Sequence, residues 1–191
     1  MSTPPLTFRK ATPADAPAVL NLVRSAYRGD SSRQGWTTEA DLLADERIDE
    51  AGVLAKISEP DGAVILAFAS DHPEPGSGGG PLGCCEVLRY PGGATGELAY
   101  FGMFAVDPKL QAGGIGKRLL REAERYAVEV LGARRMEMTV IWLRDELIDW
   151  YVRRGYVLVE GEKRPFPYEY LVNGKALRDD LYFLVLRKEL V

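Results

Sequence analysis

The segment from Val106 to Lys117 is the part of the sequence best suited to chemistry with a phosphorylated ligand. It reads Val-Asp-Pro-Lys-Leu-Gln-Ala-Gly-Gly-Ile-Gly-Lys, after an apolar stretch and before an amphipathic one. This order predicts a strand, a glycine-rich turn and a helix. The first amides of a helix lack backbone partners, and the helix dipole adds positive potential there. The turn therefore predicts a site for a phosphate or pyrophosphate.

Two cations support this prediction. Lys117 and Arg118 stand in the first turn of the expected helix, where the dipole disfavours positive charge unless an anion is bound. The alternative is a plain glycine turn with two solvated basic residues. Two other phosphate motifs fail here. Leu119 replaces the third glycine of a dinucleotide fingerprint, while Gln111 and Arg118 break a P-loop.

The remaining pattern predicts a mixed α/β chain without internal repeats. Helices are expected at residues 13–27, 37–43, 49–59, 115–131 and 145–154, from apolar spacing and capping residues. Strands are expected at residues 6–10, 63–69, 83–90, 98–106, 136–142, 156–159 and 181–186. Gly102 suggests a bulge or a close backbone approach within its strand. The Pro- and Gly-rich residues 72–81 are expected to form a long hairpin connection, and residues 91–93 a second turn.

The bulk composition restricts the class of protein. The chain has 191 residues and a net charge of −4, which suits one domain over residues 1–191 and disfavours nucleic-acid binding. No apolar run is long enough for a membrane span, and no secretory signal is visible. Cys84 and Cys85 are adjacent and poorly placed for a disulfide, which points to a reducing, cytoplasmic compartment. One histidine and two cysteines cannot form a tetrahedral zinc site, so no metal is expected.

At this point the sequence resembles the GNAT superfamily of acetyl-CoA-dependent N-acetyltransferases. The stretch Gln111-x-x-Gly114-x-Gly116 matches its Q/R-x-x-G-x-G/A signature. Residues 147–156, which contain Tyr151 and Gly155, resemble the later motif ending in Tyr-x-x-x-Gly-Phe, and the order of elements fits as well. The sequence departs from the family at Arg144, where an asparagine is frequent, and at Leu147, where a small residue is frequent.

The resemblance implies a GNAT-like fold: a mixed, mostly antiparallel sheet flanked by helices, with splayed central strands that admit the pantetheine arm of acetyl-CoA. No metal is implied. The resemblance leaves a homodimer open. The cofactor-binding residues that it implies are Phe104, Ala105, Val106, Gln111, Ala112, Gly113, Gly114, Ile115, Gly116 and Lys117.

Tyr151 matches the tyrosine that such enzymes often use as general acid toward the departing CoA sulfur. The alternative is a core tyrosine with its hydroxyl bonded elsewhere. The base for the amine stays open among Glu86, Glu97 and Glu137. The acceptor, a small-molecule or peptide amine, is expected between the first helices and the late loops. The residues implied for its pocket are Arg28, Trp36, Glu39 and Phe166, with packing and solvated side chains as the alternative.

Other functions remain open for this sequence. A non-catalytic acyl-CoA-binding regulatory module would carry the same turn, and so would a transferase that uses a longer acyl-CoA. A cysteine nucleophile at Cys84 or Cys85 would need a base, and His72 is the sole histidine.

Overall fold

A computed structural model of the chain describes residues 5–70, 79–90 and 97–191. The predicted connection at 72–81 and the turn at 91–93 lie largely or wholly outside these residues. The strands are β1 (Leu6–Lys10), β2 (Leu43–Ala44), β3 (Gly62–Ala69), β4 (Gly83–Arg89), β5 (Leu98–Val106), β6 (Arg135–Ile141), β7 (Val157–Pro165), β8 (Lys175–Ala176) and β9 (Tyr182–Glu189). The α-helices are α1 (Ala16–Tyr27), α2 (Gly29–Ser32), α3 (Glu50–Ile57), α4 (Ile115–Glu129) and α5 (Asp145–Val152). Three 3₁₀ turns lie at Pro13–Asp15, Pro108–Leu110 and Tyr168–Tyr170.

Seven strands form one sheet in the order β1-β3-β4-β5-β6-β9-β7, and β2 pairs separately with β8. Every pairing in the larger sheet is antiparallel except that of β5 with β6, which is parallel. The mixed, mostly antiparallel sheet predicted from the family resemblance is therefore confirmed.

The sheet is covered on both faces by helices. On one face, α4 buries its apolar stripe, including Leu119 and Ala123, against β3, β4 and β5. On the other face, α1 and α3 bury Val19, Val23 and Val53 against Leu66 and other residues of the sheet. The strong 3.6-residue periodicity of α1 and α4 and the apolar character of β3 explain why these elements were predictable.

Most predicted elements are confirmed, including the helix at residues 49–59, where the Asp49 side chain accepts a hydrogen bond from the Gly52 amide at 2.7 Å. The helix predicted at residues 37–43 is wrong. Leu42 and Leu43 donate to the Glu39 carbonyl in one turn, and the chain then enters β2. Tertiary contacts decide this outcome, because the Glu39 side chain is drawn into a buried group of arginines. The strand predicted at 156–159 continues as β7 to Pro165, where it pairs with β9.

Candidate functional site

The glycine-rich turn joins β5 to α4, as predicted. Asp107 accepts a hydrogen bond from the Lys109 amide at 2.9 Å and so starts the turn. Ala112 and Gly114 have left-handed backbones, with φ of 67° and 82°, which reverse the chain just before α4 begins at Ile115. Such alternation of backbone conformation points successive amides toward one place. The turn thus has the local structure of an anion site.

The amides at the beginning of α4 are available for a ligand. For the amides of Gly114, Ile115, Gly116 and Lys117, no backbone acceptor is found within residues 5–70, 79–90 and 97–191. The helix that follows has 15 residues, so its dipole adds positive potential at this end. Unpaired amides at such a terminus favour phosphate oxygens as acceptors.

A cavity of about 180 Å³ adjoins this turn and is called here the turn cavity. Its wall carries Lys117, Arg144 and Arg154 and contains no carboxylate among the described residues. The predicted site residues that line it are Trp36, Phe104, Val106, Gln111, Ala112, Gly114, Ile115, Gly116, Lys117 and Tyr151. The structure therefore brings most of the predicted cofactor residues together around a cationic cavity.

Two predicted cofactor residues do not line the turn cavity. Ala105 is 2% exposed, and its side chain packs in the core cluster beneath α1, because alternation along β5 turns it to that face. Gly113 lies inside the turn, where its amide donates to the Leu110 carbonyl at 3.4 Å. Both residues shape the backbone of the site.

Aromatic side chains and one arginine border the turn cavity. Trp36 stacks on Trp150 with ring centroids 6.4 Å apart, and the Arg154 guanidinium lies 3.5 Å from the centre of the Trp150 ring. The Nε of Arg154 is buried without a hydrogen-bond partner among the described residues. Burial lowers the pKa of the Arg154 guanidinium, an effect that a bound anion would oppose.

The central strands separate where the resemblance implied a splay. β5 and β6 pair only from Leu98 to Tyr100, although β5 continues to Val106. The register with β4 shifts between Glu86, which faces Gly102, and Cys84, which faces Ala105. Met103, with φ of 42°, lies in the resulting bulge. A bulge or a close backbone approach was predicted at Gly102, and the bulge lies directly after it, between Gly102 and Ala105, where the sheet opens.

A second cavity of about 100 Å³ occupies this opening and is called here the splay cavity. It lies between Tyr100–Phe104 of β5 and Met138–Ile141 of β6. Five residues line both cavities, namely Tyr27, Phe104, Arg144, Leu147 and Tyr151. The two cavities therefore meet at these side chains.

Tyr151 stands at the junction of the two cavities. Its side chain is 3% exposed and contacts the rings of Phe101, Phe104, Trp150 and Tyr156. Within the described residues, no hydrogen bond is found for its hydroxyl. Burial raises the pKa of the Tyr151 phenol well above its usual value, so the group stays protonated and can donate a hydrogen bond.

Arg28 and Glu39, both predicted in the acceptor pocket, belong to a buried charge cluster. Glu39 pairs with Arg28 and with Arg144, each at 2.7 Å, and Arg28 also pairs with Asp45 at 2.6 Å. Burial alone would raise the pKa of Glu39, but the Coulombic effects of Arg144 and Arg28 outweigh it and lower that pKa. Glu39 lines the splay cavity, whereas Arg28 lies behind it.

Phe166 lies elsewhere. Its ring packs on Phe183, with centroids 5.4 Å apart, in a small core cluster with Leu43 and Leu181. It lines neither cavity. The aromatic character of the late loop predicted an apolar wall, but this small cluster buries the ring away from both cavities.

The residues considered as general bases are engaged elsewhere or lie outside both cavities. Glu137 is fully buried and pairs with Arg164 and Arg187, while Glu86 pairs with Lys56 at 2.7 Å. Glu97 lines neither cavity. The splay cavity thus offers Glu39 as its carboxylate within the described residues, and two arginines hold that group ionised.

The cysteines are poor nucleophiles in this fold. Both are fully buried, and burial raises the pKa of the Cys84 thiol to about 12. The pKa of Cys85 is also raised well above its usual value by burial. Since the thiolate is the reactive species, neither side chain is poised for covalent catalysis. His72 lies outside the described residues.

Sequence patterns did not reveal several residues of the two cavities. Tyr27 and Arg47 line the splay cavity, and Trp150 and Arg154 border the turn cavity. The i, i+4 spacing of Trp150, on α5, and Arg154, just past its end, was a usable signal. Arg144 was visible as a departure from the family pattern. Tyr27 and Arg47 gave no signal, because only tertiary structure brings them to β5.

Comparison with known proteins agrees with this architecture. The sequence matches the Acetyltransferase (GNAT) family over residues 18–156, and the chain belongs to that family. A search of curated proteins found no significant match to this sequence. The match covers the turn, the splayed strands and Tyr151.

Solved structures of GNAT proteins share the fold at low sequence identity. The yncA protein of Salmonella typhimurium, solved with its cofactor acetyl-CoA, has a TM-score of 0.66 and 16% identity, covering 97% of this chain and 94% of its own. The ribosomal-protein-S18-alanine N-acetyltransferase of Escherichia coli has a TM-score of 0.65 and 13% identity, with 97% and 94% covered. A spermidine N-acetyltransferase chimera from Vibrio cholerae SpeG and hSSAT has a TM-score of 0.65 and 13% identity, covering 97% of this chain and 95% of its own. Acceptors named for these proteins differ, so the fold does not identify the acceptor of this chain.

The described residues contain neither a candidate membrane-spanning helix nor a candidate metal-binding cluster. No helix among them is both long and apolar enough to cross a membrane. No group of three or more His, Cys, Asp or Glu side chains among them could hold a metal ion.

Proposed function

We propose that residues 1–191 form one N-acetyltransferase domain that binds acetyl-CoA in the turn cavity and acetylates an amine bound in the splay cavity. The observation that carries this proposal is the meeting of the two cavities at Tyr151, with unpaired helix amides at the outer end of the first. Acetyl-CoA supplies the acetyl group as a thioester, which the amine nitrogen attacks while the C–S bond breaks.

The protein residues that would hold acetyl-CoA fit its chemistry. The amides of Gly114 to Lys117 and the dipole of α4 suit the pyrophosphate. Lys117 and Arg154 add positive charge along the same cavity. Phe104 lines both cavities, so the thioester end of the pantetheine arm would lie beside it, where the turn cavity meets the splay cavity. The Phe104 carbonyl already accepts a hydrogen bond from the Tyr27 hydroxyl at 2.9 Å, and the Val106 carbonyl accepts one from Gln111 at 3.2 Å.

Tyr151 would act on the departing sulfur. Because its pKa is raised well above that of a thiol, the phenol donates a hydrogen bond to the developing thiolate more readily than it gives up the proton. Overall, the amine nitrogen loses one proton as the C–N bond forms, and the sulfur gains one. Glu39 is a weak base because its pKa is lowered, so the amine proton is expected to leave through water.

Calorimetric titration of the full chain with acetyl-CoA and with CoA tests the binding step. Gly114→Glu places a carboxylate in the phosphate turn, while Gly132→Glu is the matched control at the other end of α4. Both glycines have positive φ, so each substitution is expected to cost about 1–2 kcal/mol of stability, and a Gly132 side chain would meet open space. Acetyl-CoA binding should be lost in Gly114→Glu alone.

Release of free thiol on a broad amine panel tests transfer. Turnover by the wild type with acetyl-CoA would support the proposal. Tight binding without release on any amine would instead indicate an acyl-CoA-binding module, and faster release from a longer acyl-CoA would reassign the acyl donor. Absence of acetyl-CoA binding by the folded wild type would overturn the proposal.

A further inference from the structure

The splay cavity carries an excess of positive charge. Three guanidinium groups lie in or directly behind its wall, those of Arg28, Arg47 and Arg144, against the carboxylates of Glu39 and Asp45. Arginine stays charged at any working pH, and carboxylates paired with arginine stay ionised. The group therefore has one positive charge more than it has negative charges.

Arg47 is the source of this excess. Arg28 and Arg144 each contact a carboxylate at 2.6–2.7 Å, whereas the Arg47 side chain has no carboxylate within 4.0 Å among residues 5–70, 79–90 and 97–191. Its guanidinium lies 5.0 Å from the centre of the Tyr27 ring, and it lines the splay cavity opposite β5 and β6. A half-buried arginine that faces a cavity without an anion is suited to bind one.

The backbone holds Arg47 in a defined place. Its φ is 68°, a conformation that a long side chain rarely adopts. Asp45 stabilises this turn by accepting the Arg47 amide at 3.0 Å, with the same carboxylate that pairs with Arg28. On either side, Glu46 pairs with Arg24, and Ile48 is buried in the core. Strain of this kind persists where the surroundings fix the residue, and it often marks a ligand contact.

The opposite wall of the cavity offers neutral hydrogen-bonding groups. The hydroxyls of Tyr100 and Thr139 lie 3.2 Å apart, and both residues line the cavity. They can donate to an anion or accept from an ammonium group. The cavity volume of about 100 Å³ suits a small polar ligand.

We propose that the acceptor is a small amine that carries a carboxylate, and that Arg47 binds this carboxylate while the amine lies toward Tyr151. This inference rests on the proposed N-acetyltransferase function. The guanidinium of Arg47 forms a bidentate pair with the carboxylate of the acceptor. The negative charge of that carboxylate neutralises the excess positive charge of the splay cavity. A polycationic amine meets two arginines in the same space and is rejected.

Matched acceptors test the inference on the full-length protein. Thiol release is measured with small amino acids, with the carboxamide of each, and with spermidine. The wild type should favour each amino acid over its carboxamide by on the order of 10- to 100-fold in kcat/KM, the range expected for a charge-assisted hydrogen-bonded pair. Spermidine should be the poorest acceptor.

Two variants separate recognition of the carboxylate from general damage. Arg47→Gln should raise KM for the amino acids by a similar factor and leave the carboxamides and the affinity for acetyl-CoA unchanged, and Arg47→Lys should restore part of the loss. Arg178→Gln removes an exposed arginine, paired with Asp180, that lines neither cavity, and it should behave as the wild type.

Each outcome bears on the inference. Equal losses on acids and carboxamides in Arg47→Gln, or a wild type that prefers carboxamides or spermidine, would overturn it and leave the transferase function standing. Absence of turnover with every amine would overturn the proposed function, and this inference with it.

Discussion

At the scale of the residue, burial sets what Tyr151 can do. Its ring packs in the core, its hydroxyl has no hydrogen-bond partner among the described residues, and the residue lines both cavities. Tyr156 provides a contrast five residues away. It is 1% exposed, but its hydroxyl is bonded to Glu124 at 3.1 Å, and it lines neither cavity. Two neighbouring core tyrosines thus differ in whether a hydroxyl is available for chemistry.

Removing the hydroxyl of Tyr151 should impair turnover selectively. Tyr151→Phe keeps the ring and its packing, so the affinity for acetyl-CoA should be retained, while kcat falls on the order of 100-fold. Tyr156→Phe is the matched control and should keep kcat. Steady-state thiol release and calorimetry measure the two effects. Near-normal turnover in Tyr151→Phe would refute its assignment as the group that assists the leaving sulfur.

At the scale of the element, the side chain of Gln111 ties the phosphate turn to the segment after α2. Its Oε1 accepts the Trp36 amide at 3.1 Å, and its Nε2 donates to the Val106 carbonyl at 3.2 Å. Gly35 permits this contact, because a Cβ there would lie 2.4 Å from Oε1 of Gln111. The glutamine of the signature thereby positions Trp36 beside Trp150 at the edge of the turn cavity.

A methyl group added at Gly35 should disrupt the contact of Gln111 with the Trp36 amide. Gly35→Ala would displace the flexible Gln111 side chain and break its two hydrogen bonds, each worth about 1 kcal/mol. The affinity for acetyl-CoA should then fall roughly 5- to 30-fold, and the free energy of unfolding should fall by at most about 2 kcal/mol. Gly80→Ala is the control, since a Cβ at Gly80 meets nothing within 4 Å. Equal affinities for the two variants in calorimetry would contradict this role of Gln111.

At the scale of the whole molecule, the buried charge cluster connects distant parts of the chain. The Glu39 carboxylate accepts hydrogen bonds from Arg28, which follows α1, and from Arg144, which precedes α5. Arg144 also donates to the Thr37 hydroxyl at 2.7 Å. The two contacts of Arg144 link residues more than a hundred positions apart in the sequence. The cluster forms part of the wall of the splay cavity through Glu39 and Arg144.

Breaking this cluster should cost stability in a way that depends on pH. Glu39→Gln leaves two buried arginines with one carboxylate fewer and should lower the free energy of unfolding by roughly 3 kcal/mol at pH 7. The folded pKa of Glu39 is lowered, so its contribution is fully present above the usual value and is lost as the pH falls through the folded value. The difference from the wild type should therefore narrow in acid.

Urea denaturation at several pH values measures this effect. Asp41→Asn is the control, because its pair with Arg33 is exposed and should contribute less than about 1 kcal/mol. A difference between Glu39→Gln and the wild type that grew in acid would contradict the argument.

The sequence by itself determined the elements whose signals are local. The apolar periodicity of α1 and α4, the run of β5 and the glycines from Gly113 to Gly116 follow from the geometry of helices, strands and turns within a few residues. The family signature then carried the splay of the central strands and most of the residues around the turn cavity. Tyr151 was predicted in the same way, and the structure places it on α5, where it lines both cavities.

Only the tertiary structure decided the rest, because those features depend on partners far away in sequence. The segment at residues 37–43 was expected to be helical, but Arg28 and Arg144 draw Glu39 into the interior. Phe166 had the right character for a pocket wall, but Phe183 and Leu43 bury it elsewhere. Arg47 lines the splay cavity beside Tyr27 because the fold brings the segment between β2 and α3 next to the end of α1, which a local pattern does not encode.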